Sequence, residues 1–442
     1  MRWSRSLMLL CLLLSCSSAR AEDLLDIYEL ARQHDPLIQA AQFANLATRE
    51  SLRQAYSGLL PTLSAGAEYD LTRQEILDSD NPLFQEGTSD FGGYDLSLTL
   101  NQPLFRYAAI VSVRQAKDVV ARSGLEYFVA EQELVLRVAE LYLQALSAQD
   151  DLGFARAEQA ALQLHYERAQ GQQARGLIPV TDLYDAQARL AAAQEREFSA
   201  KDAQDDAFEA LREVSGDRVA NPAGIKEELP LGPPDPATVE QWIEAGLKQN
   251  LALQVQALTV GVASREVDRR QAGHLPTLDL VARGNRQRTG GDLFGKGRDT
   301  EILNVGVELR LPLYQGGLVN SQVKEATYLY QRARKEHERL VRSVERTTRS
   351  AYWGVISAIG RVEALQQSVA ALELALDGRQ KGFRSGLFPS LDVLDGVRDL
   401  FRSRRDYARA RYDYILNSLR LKQMVGTLSE KDIVAVNQWL AE

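Results

Sequence analysis

Gly386-Leu387-Phe388-Pro389-Ser390-Leu391-Asp392-Val393-Leu394-Asp395 has a twin, Gly176-Leu177-Ile178-Pro179-Val180-Thr181-Asp182-Leu183-Tyr184-Asp185, lying 210 residues earlier in the chain. Both read Gly, two apolar residues, Pro, two variable residues, Asp, two apolar residues, Asp. Each copy interrupts a long helical pattern, so each is the tip of a helical hairpin. Gly supplies the positive-φ end of the arriving helix, and Pro presets the start of the departing one.

Other landmarks repeat in the same order. Gly58-Leu59-Leu60-Pro61-Thr62-Leu63 returns as Gly273-His274-Leu275-Pro276-Thr277-Leu278, and Pro103-Leu104-Phe105 returns as Pro312-Leu313-Tyr314, at offsets of 215 and 209. The chain is therefore one unit used twice, over 22–220 and 237–442, with a short tail after the second copy. The join at 221–236 carries Pro222, Pro230, Pro233, Pro234 and Pro236 and reads as an extended linker.

Each copy opens with a helix, over 24–57 and 238–272, ending before the Leu-Pro-Thr-Leu turn. Alternating segments follow at 63–72, 94–101, 278–285 and 303–311. In the last, Leu303, Val305, Val307, Leu309 and Leu311 oppose Asn304, Gly306, Glu308 and Arg310. Alternation of period two means a strand with one apolar face. A half-buried sheet in a soluble sandwich would look the same, but nothing else in the chain supplies a second layer. Strands of this kind fit a membrane barrel, with Tyr69, Phe84, Phe91, Tyr94 and Phe294 near their ends as an aromatic belt. Four strands cannot close a barrel, and open edges are forbidden in lipid, so copies must assemble.

After each strand pair runs a long helix, over 107–173 and 318–382. Val344, Thr348, Ala351, Val355, Ala358, Val362, Leu365, Val369, Leu372 and Leu376 step by four and three, as do Leu134, Val138, Leu141, Ala145, Ala148, Leu152 and Ala155. Sustained spacing of that kind is a coiled-coil seam. Past each tip a descending helix follows, over 182–214 and 392–425. A helix of ~65 residues spans about 100 Å, which the opening and descending helices match when stacked end to end. Each copy thus presents two parallel rods that project away from the barrel.

Composition sets the compartment. Of 442 residues, 45% are hydrophobic and 25% charged, which suits a folded chain. Residues 1–21 carry the basic Arg2 and Arg5, an apolar run from Leu7 to Leu14 and the cleavage pattern Ala19-Arg20-Ala21, the marks of a secretory signal peptide. Both cysteines, Cys11 and Cys16, lie inside it. Leu13-Leu14-Ser15-Cys16 also resembles a lipoprotein cleavage site, a weaker match than the first. Removing Arg2, Arg5 and Arg20 from the 52 Lys and Arg leaves 49 against 60 acidic residues, a balance of −11 that argues against nucleic acid as partner. Beyond the signal no apolar run reaches the ~18 residues of a transmembrane helix.

The arrangement resembles the TolC family of outer-membrane efflux and secretion proteins, over essentially the whole mature chain. The likeness rests on the paired Leu-Pro-Thr-Leu entries, the Pro-Leu-Phe and Pro-Leu-Tyr exits and the two Gly-x-x-Pro-x-x-Asp-x-x-Asp tips. Asp23-Leu24-Leu25-Asp26-Ile27-Tyr28-Glu29-Leu30-Ala31 is closer to the type I secretion branch than to the acylated multidrug branch. The resemblance implies a mostly helical chain with a transmembrane β part. It implies a homotrimer, with a twelve-stranded barrel in outer-membrane lipid continued by a twelve-helix tunnel across the periplasm. It further implies a periplasmic adaptor, or membrane fusion, protein and an inner-membrane transporter, ABC or proton-driven, as partners. No enzymatic activity and no cofactor belong to this picture.

The resemblance also assigns residues. Asp392 and Asp395 match the two aspartates that narrow the family's tunnel at its periplasmic end. Three residues apart they share a helix face, and threefold symmetry makes a ring of six carboxylates that attracts cations. Helix capping and the macrodipole explain the same pair without any channel. For Asp182 and Asp185, capping and bonding between hairpins is the favoured reading. The family's lock uses a Tyr and an Arg where this chain has Phe383 and Phe388, leaving Arg384 or Arg175 as replacements. Gly176, Leu177, Gly386 and Leu387 would meet the adaptor's hairpins.

Other motifs fail on their chemistry. Gly290-Gly291-Asp292-Leu293-Phe294-Gly295-Lys296 mimics a phosphate loop, yet Gly297 stands where Ser or Thr must hold magnesium, and strands flank it. His34, His165, His274 and His337 keep no ligand spacing, so no metal site is expected. The basic run Arg332 to Arg349 reads as a solvated helix face or a lumen lining. Function thus divides between a passive exit duct, for type I secretion or for drug or metal efflux, and a trimeric coiled-coil surface adhesin with a barrel anchor. Adhesins of that type carry one anchor, whereas here both copies contain strands.

Overall fold

A computed structural model describes residues 23–78, 80, 87–219, 221–226, 229–291 and 297–441. The signal segment, Phe84 and Phe294 lie outside the described residues. The order is α1 (Leu24–His34), α2 (Pro36–Ser57), β1 (Thr62–Ile76), β2 (Gly87–Phe105), α3 (Tyr107–Gln173), α4 (Val180–Ser215), α5 (Val239–Gln249), α6 (Leu251–Gln271), β3 (Thr277–Thr289), β4 (Arg298–Arg310), α7 (Leu318–Arg384), α8 (Ser390–Val425) and α9 (Glu430–Asn437). Among the described residues no helix is long and apolar enough to cross a membrane.

Both opening helices are broken, where the sequence pattern shows one continuous element. Asp35 separates α1 from α2 because a residue before proline is pushed out of the helical region. Asn250 separates α5 from α6 at the equivalent place, 215 residues on. Each break is re-capped by its own side chain: Leu37 N donates to Asp35 Oδ1 at 3.0 Å, and Leu253 N donates to Asn250 Oδ1 at 2.9 Å. Arg137 pairs with the buried Asp35 from α3.

The contacts divide the chain into two compact units that cut across the sequence repeat, each drawing on both copies. One comprises Ala44–Leu125 and Gln254–Arg339, the other Met1–Phe43, Glu126–Leu253 and Leu340–Glu442.

The first unit holds a single antiparallel sheet in the order β1-β2-β3-β4. Its register sorts the side chains cleanly. One face carries the rows Leu63, Leu100, Ala282, Val305 and Ala65, Leu98, Gly284, Leu303; the other carries Ser64, Thr99, Arg283, Asn304 and Glu68, Asp95, Gln287, Thr300. The apolar face is open: Leu303 is 76% exposed and Val305 67%. Tyr69 and Tyr94 lie opposite each other on it, whereas Phe91 opposes Thr72 on the polar face and does not join a belt. Arg106 donates twice to the buried Asp279 at 2.9 Å, fixing the start of α3 to β3.

The second unit is helical. Its main core gathers Leu24, Ile27, Leu134, Val138, Tyr142, Leu211, Val355, Ile415, Leu421 and Ile433, all nearly free of solvent. Each such apolar side chain contributes about 1.5–3 kcal/mol. The linker is extended but fastened rather than loose. Tyr142 donates to Ala223 O at 2.8 Å, and Lys226 N and Ala441 N bond the C-terminal tail and linker to each other. That tail is not a plain extension; it forms α9, closed by a Ser429–Asp432 capping box.

A smaller cluster holds the helices toward the tips: Leu162, Ala169, Ala186, Leu190, Ala193, Leu394, Val397 and Phe401. Beside it lies a charge in the seam. Glu158, 1% exposed, meets Arg196 of α4 at 2.9 Å and Arg405 of α8 at 3.3 Å. A buried carboxylate is tolerated only when paired, so these two arginines pin three helices in one register. Arg405→Met should lower stability by roughly 3 kcal/mol, and adding Glu158→Leu should recover part of that loss, as read by thermal unfolding.

His165, on α3, is half-buried, and burial followed by the nearby Arg168 holds its imidazole below the ordinary 6.5. The unfolded chain therefore binds a proton near that pH while the folded chain does not, so stability rises with pH through this window. Melting temperature should climb between about pH 5.5 and 7.5, and His165→Asn should flatten that part of the curve.

Candidate pore constriction

Both tips close by the same backbone rule. Leu177 N donates to Gln172 O at 3.0 Å and Gly176 N to Gln173 O at 2.8 Å; Leu387 N and Gly386 N repeat the pair on Gly382 O and Phe383 O. These are Schellman endings, and they require a left-handed residue. Gly176 and Gly386 have φ of 70° and 79°, with open space around both Cα atoms, so it is the dihedral and not crowding that calls for glycine. The turns leave Leu177 67% and Leu387 78% exposed, a pair of apolar points at the hairpin ends.

Beyond each tip, Pro179 and Pro389 occupy the N-cap positions, and neither helix start is capped by a side chain. Asp182 and Asp392 instead sit in the first turn, where a carboxylate meets the positive end of the helix. Capping by these aspartates is therefore not what the structure contains. Among the described residues Asp182 Oδ1 accepts from its neighbour Thr181, at 3.4 Å, and Asp185 is exposed. Bonding between the hairpins is made elsewhere.

It is made at Asp395. Arg189 of α4 reaches Asp395 Oδ1 at 2.9 Å, and Arg398, one turn along α8, reaches the same oxygen at 3.3 Å. That oxygen is shielded from solvent, and the approach is a charge contact outside hydrogen-bond alignment. Asp392 is half-buried, its side chain forms no ion pair among the described residues, and its main-chain oxygen accepts from Arg379 at 3.4 Å. Two aspartates three residues apart on one helix thus differ sharply in their surroundings.

The positions expected to hold a lock are filled differently. Phe388 folds back over Gly382 so closely that a Cβ there would overlap its ring, so the ring packs within its own hairpin. Phe383 and Arg384 line a cleft of about 570 Å³ with Leu164, His165, Arg168 and Gln172. Arg384 and Arg175 are exposed and form no ion pair among the described residues. Arg189, Arg196, Arg405 and Glu158 carry the cross-helix contacts, and none is marked by the repeat. Glu158 could have been seen as a charge at the step that follows the seam residue Ala155; Arg189 had no such signal.

The loop resembling a phosphate site joins two antiparallel strands, β3 and β4, and residues 292–296 within it lie outside the described residues.

Comparison with known proteins agrees with this geometry. The family model described as outer membrane efflux protein matches residues 27–217 and 242–427. The chain is 31% identical to the outer membrane protein TolC of Vibrio cholerae serotype O1, over 96% of this chain and 95% of that protein. It is 30% identical to the proteases secretion protein PrtF of Dickeya chrysanthemi, over 99% of this chain and 96% of that protein. Its fold matches the outer membrane channel CmeC of Campylobacter jejuni with a TM-score of 0.78 at 16% identity, over 95% and 90% of the two chains. With its repeated strand pairs and hairpin tips inside both matched segments, the chain belongs to the outer membrane efflux protein family and is an outer-membrane channel for efflux or secretion.

Proposed function

We propose that three copies of the chain form one passive exit duct, the outer-membrane part of a three-component machine energised at the inner membrane. The observation that carries this reading is the sheet: an exposed apolar face, a polar face, and two open edges on β1 and β4. In lipid those edges must be paired, and three four-stranded sheets reach the number of strands a barrel with a water-filled interior needs. The polar rows then line the lumen. Asp392 and Asp395 narrow the passage at the periplasmic end, with Asp182, Phe383, Arg384 and Phe388 beside them. The exposed tips Leu177 and Leu387, with Gly176 and Gly386, receive the hairpins of a periplasmic adaptor protein.

Likeness to PrtF favours protein export through a type I system over drug or metal efflux. A deletion strain separates the two. Loss of protein from the medium with unchanged drug and metal tolerance is the expected result; intact protein export with lowered tolerance would place the chain in an efflux system. Purified protein in planar bilayers should give stepwise ohmic conductance without nucleotide or a proton gradient. Leu177→Asp combined with Leu387→Asp should abolish export in cells while leaving that conductance in place, because the tips serve docking and not permeation.

A further inference from the structure

We infer that Arg189 sets the charge of the constriction, so that Asp392 is the carboxylate that acts on passing ions and Asp395 is held neutralised within each protomer. The inference rests on the reading of Asp392 and Asp395 as the pore aspartates.

The contacts differ between the two residues. Asp395 Oδ1 has Arg189 at 2.9 Å and Arg398 at 3.3 Å, and its side chain is 34% exposed against 28% for Arg189. Asp392 has no ion pair among the described residues, and Arg379 reaches its main-chain oxygen at 3.4 Å. A paired charge presents a dipole, whose field falls off faster than that of a lone charge and is weaker at the axis. Threefold assembly therefore gives a ring with three open carboxylates and three masked ones, not six of equal strength. Arg189 comes from the other hairpin, so the mask depends on α4 and α8 lying side by side.

A specificity consequence follows. A weakened acidic ring retains modest cation preference, binds divalent cations less tightly, and repels acidic polypeptide segments less than six bare carboxylates would. Arg189 is a positioning residue in this scheme, since it acts through Asp395.

The test is reversal potential and Mg²⁺ block of the purified assembly in planar bilayers under a KCl gradient. Arg189→Gln leaves Asp395 only Arg398, which also pairs with Asp399, so one negative charge is uncompensated and the potassium-over-chloride permeability ratio should rise by about two- to fivefold, with block at lower Mg²⁺. Asp395→Asn leaves Arg189 unpaired and should lower the ratio, and Asp392→Asn should drop it several-fold. Arg189→Lys should match the wild type, and Arg189→Gln with Asp395→Asn should return to it. These last two variants also serve if Arg189→Gln fails to assemble, because each restores or removes the charge balance.

If Arg189→Gln alters conductance without moving the reversal potential, Arg189 is a structural tie only and the inference is overturned. Equal losses of selectivity in the double Arg189→Gln, Asp395→Asn variant and in Asp392→Asn overturn it as well, while leaving the pore aspartates in place. If Asp392→Asn and the double Asp392→Asn, Asp395→Asn variant both leave selectivity unchanged, the pore reading itself is wrong.

Discussion

In hydrocarbon every backbone amide and carbonyl must find a partner within the protein, because no water is present to accept the remainder. The four-stranded sheet of this chain meets that demand along its interior pairs and leaves it unmet on the outer edges of β1 and β4. Its apolar rows point away from its polar rows along Leu63 to Leu71, Tyr94 to Leu100 and Leu303 to Leu309. A sheet so divided has no soluble partner layer in the chain, and a lipid surface on one side with water on the other satisfies both faces. Exposed edges and an open apolar face have one remedy, which is closure with further copies.

The helical unit solves a different problem, that of holding two hairpin ends at fixed positions. Alanine-rich seams bring the helices close, but apolar seams alone slide easily between registers. Polar pins remove that freedom. Glu158 between Arg196 and Arg405, and Asp35 with Arg137, each tolerate one alignment only, since any shift leaves a buried charge bare. Closer to the tips the same chemistry recurs: Arg189 on Asp395 ties one hairpin to the other.

Much of this was legible in one dimension because the chain repeats itself. The two tips, the four strands and the long helices follow from periodicity and from glycine and proline at matched offsets. The breaks at Asp35 and Asn250 were not read. Asp35 precedes a proline and could have been; Asn250 has no proline beside it and shows only through the 215-residue offset to Asp35. Asp182 and Asp392 have the composition of caps, but Pro179 and Pro389 take the cap positions and push the aspartates into the first turn. Arg189 and Arg405 escaped for a plainer reason. Their partners lie 206 and 247 residues away, and helical spacing carries no information across that distance.

Closure by additional copies is measured most directly by native mass spectrometry of the protein extracted from outer membranes in mild detergent. A complex of three times the protomer mass, persisting when detergent is stripped in the gas phase, is the expected result. A single folded protomer carrying only bound lipid, with no larger species at any concentration, would contradict it, because β1 and β4 would then have to survive in the membrane with bare edges.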